Sequence, residues 1–116
     1  MCGIIGIASN KSVTSNIINS LKRLEYRGYD SAGIATISKK NLNEKKCTGR
    51  VEELEKILFN SPAQGNIGIG HVRWATHGTP NEVNAHPHSS EIVSVVHNGI
   101  IAVSYTHLTL PTNREV

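Results

Sequence analysis

Cysteine stands second in the chain, in Met1-Cys2-Gly3-Ile4, so loss of the initiator methionine would make Cys2 the amino terminus. A terminal cysteine carries nucleophile and base on one residue. Its α-amino group titrates near about 7.7 to 8.0, so close to neutral pH a sizeable fraction is neutral and can accept the thiol proton without a separate histidine. Gly3 leaves room for backbone or a substrate to approach the sulfur. Read by itself, Cys2 fits better a small hydrophobe at the head of a buried strand, and other residues must decide the matter. Arg73-Trp74-Ala75-Thr76-His77-Gly78 gathers a guanidinium, an aromatic wall, a hydroxyl and an imidazole in one short segment. Those are the parts of a carboxylate-binding pocket, in which Arg73 grips through two parallel hydrogen bonds and Thr76 and His77 add directed ones. The same residues fit a surface loop in which Arg73 pairs with a nearby acid and Trp74 plugs the core. Asn98-Gly99, between Val95-Val96-His97 and Ile100-Ile101, is a strong hairpin-turn signal. It can equally aim a side-chain amide and a backbone N–H at a developing oxyanion.

Six histidines, with His86-Pro87-His88 among them, raise the question of a metal. None stands in a helical i, i+4 pair or beside a cysteine at zinc spacing, so they read as loop hydrogen bonders and no metal or cofactor is expected. Arg27 to Gly33 is rich in polar groups for a helix-to-strand connection, and Tyr29 or Asp30 could line a site there or simply form a turn. Cys47 lies in a basic strand with no evident base and receives no role.

The elements that must position these residues follow from periodicity. Ile4 to Ala8 is a short apolar, β-branched run between glycines and reads as a buried strand. Ser12 caps a helix whose apolar positions Val13, Ile17, Leu21 and Leu24 share one face, and Gly28 stops it. Gly33 to Ser38 and Lys45 to Thr48 read as strands around a polar Lys39 to Glu44 turn region. Val51, Leu54, Ile57 and Leu58 form a second amphipathic helix with Glu52, Glu53 and Glu55 near its start, where the helix dipole favours negative charge. Ile67 to Val72 alternates glycine with bulkier residues, as a strand packed closely on other backbone does. Arg73 to His88 reads as a long polar loop, and Ile92 to Val96 as a buried strand. The order predicts an α/β sheet packed under helices, without repeats or linkers.

Composition narrows the classes. At 116 residues the chain fits one small domain, and 38% hydrophobic content with 18% charged suits a packed core over disorder. The net charge of +3 comes from scattered basic residues with few aromatics between them, so nucleic acid is not an expected partner. Two cysteines make no disulfide framework, and no apolar run approaches the roughly 20 residues of a membrane span. A cytoplasmic protein away from membranes is the expectation.

Taken together, Met1-Cys2-Gly3-Ile4 with Gly6, then Arg23 to Gly33, Arg73 to Gly78, Asn84-Ala85-His86-Pro87-His88 and His97-Asn98-Gly99-Ile100-Ile101 form five ordered blocks. They resemble the glutaminase domain of class II glutamine amidotransferases, which are N-terminal-nucleophile hydrolases. The Glu25 to Tyr29 and Asn84 to His88 blocks are most similar to the family that makes glucosamine 6-phosphate in hexosamine synthesis. The resemblance implies an α+β fold, a four-layer αββα sandwich of which this chain supplies about the first half, with an exposed sheet edge and an incomplete core. It implies that Cys2 attacks the side-chain amide of glutamine, with Asn98 and Gly99 as the oxyanion hole. Arg73, Thr76 and His77 would hold the substrate's α-carboxylate and shape its pocket, Trp74 would form a wall, and Tyr29 would lie in a loop over the substrate. Ammonia would pass to fructose 6-phosphate on a C-terminal isomerase domain absent here, in an enzyme that works as a homodimer. The alternatives are a glutamine-binding module without turnover and a histidine-rich metal-binding domain. The resemblance covers residues 1–101. Residues 102–116 match nothing in the family and read as a foreign tail, like translated adapter sequence.

Overall fold

The computed structural model describes residues 2–74 and 85–97, the side chain of Arg27 excepted. In order these form β1 (Gly3–Ala8), α1 (Thr14–Leu24), a 3-10 turn (Glu25–Arg27), β2 (Ser31–Ser38), β3 (Asn41–Thr48), α2 (Val51–Asn60), β4 (Ile67–Arg73), β5 (His88–Ser89) and β6 (Ser94–Val95). The main sheet runs β1-β4-β2-β3, and every pairing in it is antiparallel.

The sheet packed under helices matches the expected α+β class, and its antiparallel pairing is set by β4. Strands β1 and β2 do run the same way, joined by the α1 crossover that strand–helix–strand order predicts. Strand β4 enters between them and pairs antiparallel with both, Gly3 opposite Val72 on one side and Ala32 opposite Val72 on the other. Strands β2 and β3 are joined by Lys39-Lys40 alone, with Ser38 opposite Asn41 and both lysines at positive φ (51° and 70°). A two-residue turn of this hand matches strand twist but favours Asn and Gly, so a lysine pair gave no turn signal and the expected turn was six residues wide.

Both helices cover one face of the sheet. Ile17, Ile18 and Leu21 of α1 and Val51, Leu54 and Leu58 of α2 close over Ala32, Ile34 and Val72. Alternating glycines let α1 sit directly on β4: a Cβ at Gly70 would lie 2.6 Å from Ile17 Cγ2. The start of α1 is not capped by Ser12, whose hydroxyl instead donates to Gln64 Oε1 at 2.8 Å. The Val13 N–H donates to the Gly65 carbonyl at 2.8 Å and the Thr14 hydroxyl to that of Ala63 at 2.6 Å, so a distant segment replaces the local cap. The start of α2 is likewise capped from elsewhere: the Val51 N–H donates to Glu25 Oε2 at 2.6 Å, and Arg50 lies 3.6 Å from the same carboxylate. The 3-10 turn that ends α1 thereby anchors α2.

The opposite face of the sheet is not covered by the helices. Alternation puts Ile4, Ile37 and Ile67 there, each 40–49% exposed. The β5–β6 pair reaches β3 from this side, where Ser89 hydrogen-bonds to the Glu44 carboxylate and lies 2.8 Å from Ser94 Oγ. The expected Ile92 to Val96 strand is shorter and more exposed than its composition implies. It is confined to Ser94–Val95, with Ile92 82% exposed, because among the described residues only β5 pairs with it.

Candidate active site

Cys2 lies one residue ahead of β1, buried, and outside the apolar cluster under the helices. Continuing the β1–β4 register by one step sets it across from Arg73, the last residue of β4, and Arg73 pairs on its other side with Ser31. Directly opposed residues in antiparallel strands share a face with Cα atoms roughly 4.5–5.5 Å apart. This end of the sheet therefore carries a cysteine and an arginine on neighbouring strands. The Arg73 guanidinium is almost fully buried, with Nη1 3.4 Å from Asp30 Oδ1. Asp30 is held in turn: its N–H donates to the Arg73 carbonyl at 2.7 Å, and the Ser31 hydroxyl donates to its Oδ1 at 2.9 Å. Pairing with a local acid, one of the two readings open for Arg73, is thus present in the structure.

Trp74 follows directly, 46% exposed, with its indole laid on Gly28. A Cβ at Gly28 would fall 2.7 Å from Trp74 Cδ2, and Gly28 has φ +123°, so this position needs glycine both for backbone shape and for contact. The Tyr29 ring turns to the helix side, packs on that core and carries the Arg50 guanidinium 5.0 Å from its centroid. The structure therefore brings Cys2, Arg73 and Trp74 to one end of the sheet and turns the Tyr29 ring away from them. Thr76, His77, Asn98 and Gly99 lie outside the described residues.

Beside Cys2 and Arg73 sits a group whose arrangement sequence reading missed. His71 of β4 pairs with both Ile4 and Gly33 on the open face and is fully buried. The His86 ring stacks on it at 4.1 Å and 18°, and His88 follows at 4.3 Å and 54°. Gly33 makes this possible, since a Cβ there would lie 1.9 Å from the His86 carbonyl oxygen. Burial is the main cause holding all three rings neutral, lowering His71 to about 4, His86 to about 2 and His88 to about 4. His71 and His86 lie face against face and His88 is tilted against His86, and no group of three metal-ligating side chains is found among the described residues. They are core groups and not the loop hydrogen bonders expected, although the His71 Nε2 does lie 2.9 Å from the His97 carbonyl oxygen. The signal available in sequence was the β4 alternation, which sets His71 and Arg73 on the face opposite Gly70.

A hollow of about 770 Å³ lies between α1 and α2, lined by Ser12, Asn19, Glu55 and Phe59 among others. It shares no residue with the Cys2 and Arg73 row, and it offers neither nucleophile nor cation beside an acceptor.

Known proteins bear on this arrangement. Over 101 residues, 87% of the chain, it is 57% identical to the glutamine–fructose-6-phosphate aminotransferase [isomerizing] of Mesorhizobium japonicum. It is 54% identical over 103 residues to the enzyme of the same name from Clostridium acetobutylicum. The chain spans 17% of the length of each. Its whole length superposes on 26% of the glutamine phosphoribosylpyrophosphate amidotransferase of B. subtilis, solved with ADP and GMP, with a TM-score of 0.73 and 23% identity. At that identity the likeness is one of fold: an α+β arrangement, here one antiparallel sheet with two helices on one side. No family model matches the chain. The sequence likeness, borne on a fold shared with a glutamine amidotransferase, places this chain in the glutamine–fructose-6-phosphate aminotransferase family.

Proposed function

We propose that Cys2, exposed as the amino terminus by loss of Met1, hydrolyses the side-chain amide of glutamine. The α-amine takes the thiol proton, the sulfur adds to the amide carbon, and the proton returns to the nitrogen as ammonia leaves. Water then cleaves the γ-glutamyl thioester to glutamate and restores the thiol. The Asn98 amide and the Gly99 N–H stabilise the oxyanion of each tetrahedral intermediate. Arg73 binds the α-carboxylate, with Thr76 and His77 completing the pocket and Trp74 its wall. Tyr29 contributes through the backbone that leads into Asp30, the partner of Arg73.

One observation supports the reading: Gly3 of β1 pairs with Val72 of β4, so the chain end that carries Cys2 leaves the sheet next to Arg73, the last residue of β4. A glutamine held by its α-carboxylate at Arg73 would extend its side chain along the sheet toward the sulfur. In the longer protein the ammonia converts fructose 6-phosphate to glucosamine 6-phosphate on a separate isomerase domain, in a cytoplasmic homodimer that needs neither cofactor nor metal. Residues 1–101 are the glutaminase portion, and residues 102–116 lie outside it. The test is ammonia release from glutamine by protein whose amino terminus has been verified as Cys2. Turnover that disappears in Cys2→Ala supports the proposal, and turnover surviving in Cys2→Ala refutes it.

A further inference from the structure

Asp30 is the acid that meets Arg73, and the structure fixes it from three sides. Its N–H donates to the Arg73 carbonyl at 2.7 Å, its carbonyl accepts from the Gly49 N–H at 2.8 Å, and its Oδ1 accepts from the Ser31 hydroxyl at 2.9 Å. These bonds tie it to the end of β4, to the connection between β3 and α2, and to the start of β2. Gly49 reaches it at φ +93°, a conformation that glycine adopts without strain. Backbone and carboxylate are thus both held, and Oδ1 stands 3.4 Å from Arg73 Nη1, with 12% of the Asp30 side chain and 5% of the Arg73 side chain exposed.

We infer that Asp30 is a positioning residue, its anchored carboxylate setting the direction of the Arg73 guanidinium so that the fork is oriented before the α-carboxylate of the substrate arrives. The inference rests on the proposed glutaminase reading, in which Arg73 is the carboxylate receptor, and adds to it a residue that touches no substrate atom. A guanidinium grips a carboxylate through two parallel hydrogen bonds only when its plane is correctly turned. Arginine also loses much rotamer freedom when it is fixed, a cost that falls on ligand binding unless the protein has fixed the side chain already. A buried guanidinium needs a nearby opposite charge as well, but charge alone acts from any direction. Asp30 does more, because the same two residues are joined twice, by the backbone bond to the Arg73 carbonyl and by the contact to its Nη1. The strand that carries the guanidinium therefore also sets the distance to its partner.

Two substitutions at Asp30 separate direction from charge, each in protein with amino-terminal Cys2. Asp30→Glu keeps the charge and carries the carboxylate one methylene away, whereas Asp30→Asn keeps an oxygen at Oδ1 and loses the charge. Glutamine hydrolysis is measured for these, the unaltered chain, Arg73→Ala, and Asp30→Glu combined with Arg73→Ala. The expected result is a KM for glutamine raised at least about tenfold in Asp30→Glu with kcat within about threefold, and a KM within about threefold of unaltered in Asp30→Asn. Adding Asp30→Glu to Arg73→Ala should change KM by less than about twofold, since the effect passes through Arg73. An unchanged KM in Asp30→Glu, a rise in Asp30→Asn as large as in Asp30→Glu, a fall in kcat matching the rise in KM, or a full further loss in the combined variant would overturn it. If the unaltered chain does not release ammonia from glutamine, the glutaminase reading fails, and NMR of the Arg73 side-chain N–H groups decides the positioning role. Signals resolved in the unaltered chain and in Asp30→Asn but averaged in Asp30→Glu support it, and the same signals in all three refute it.

Discussion

Mild acid should destabilise this fold through the histidine stack, well before its carboxylates are protonated. His71, His86 and His88 are buried at 4% exposure or less and, mainly for that reason, take up protons in the folded chain only near about 4, 2 and 4, against 6.5 for an unhindered imidazole. In the unfolded chain all three charge near the ordinary value. Below about pH 6.5 the unfolded state thus binds more protons than the folded one, so stability is complete above that pH and lost as the pH falls toward about 4. Between pH 7 and about pH 5 each ring contributes a loss of about 2 kcal/mol, or about 5 kcal/mol together. That approaches the whole stability of a small domain, roughly 5–15 kcal/mol. Ordinary carboxylates remain mostly ionised in this window, which isolates the imidazoles. Urea unfolding followed by Trp74 fluorescence at the two pH values measures the difference. His86→Phe keeps a ring in the stack but removes one titrating group, so its pH dependence should be smaller by about 2 kcal/mol whatever its absolute stability. A change below about 1 kcal/mol in the unaltered chain, or an undiminished dependence in His86→Phe, would refute the reasoning.

Other perturbations probe separate links. Gly33→Ala forces a methyl to within 1.9 Å of the His86 carbonyl oxygen, a backbone atom that cannot move cheaply, so urea unfolding should show a loss of about 2 kcal/mol or more. Glu25→Ala removes the carboxylate that accepts from the Val51 N–H at the start of α2, and should cost about 1 kcal/mol in the same assay. Arg73→Lys keeps the charge but loses the planar fork, so the KM for glutamine should rise at least about tenfold with the far-UV circular dichroism unchanged.

Local pattern made much of the frame legible. The four-residue apolar spacing of α1, the acidic start of α2 and the glycine alternation of β4 all appear as their residues dictate. What escaped is what depends on long-range pairing. Nothing near Ile67 reveals that β4 will enter between β1 and β2, yet that insertion makes the sheet antiparallel and sets Arg73 next to the chain end that carries Cys2. The Lys39-Lys40 turn carries none of the residues that usually mark its geometry, because strand pairing on both sides imposes it. Ser12 and Arg50 stand where caps are sought, but the capping groups come from Gly65, Ala63 and Glu25. In the site, Cys2, Arg73 and Trp74 could be picked out by residue type. The stacking of His71 and His86 could not, since it joins a strand to a distant loop through the space left by Gly33.

The central claim is that the second residue becomes a terminal nucleophile specific for glutamine. Intact-mass and peptide analysis after reaction with the chloroketone analogue of glutamine tests it most directly, because one experiment reads both the chain start and the reacting sulfur. The account predicts a chain beginning at Cys2 with a single adduct on that residue, prevented by excess glutamine, and Cys47 unmodified. Retention of Met1, a label on Cys47 in preference to Cys2, or labelling that glutamine does not prevent would contradict it.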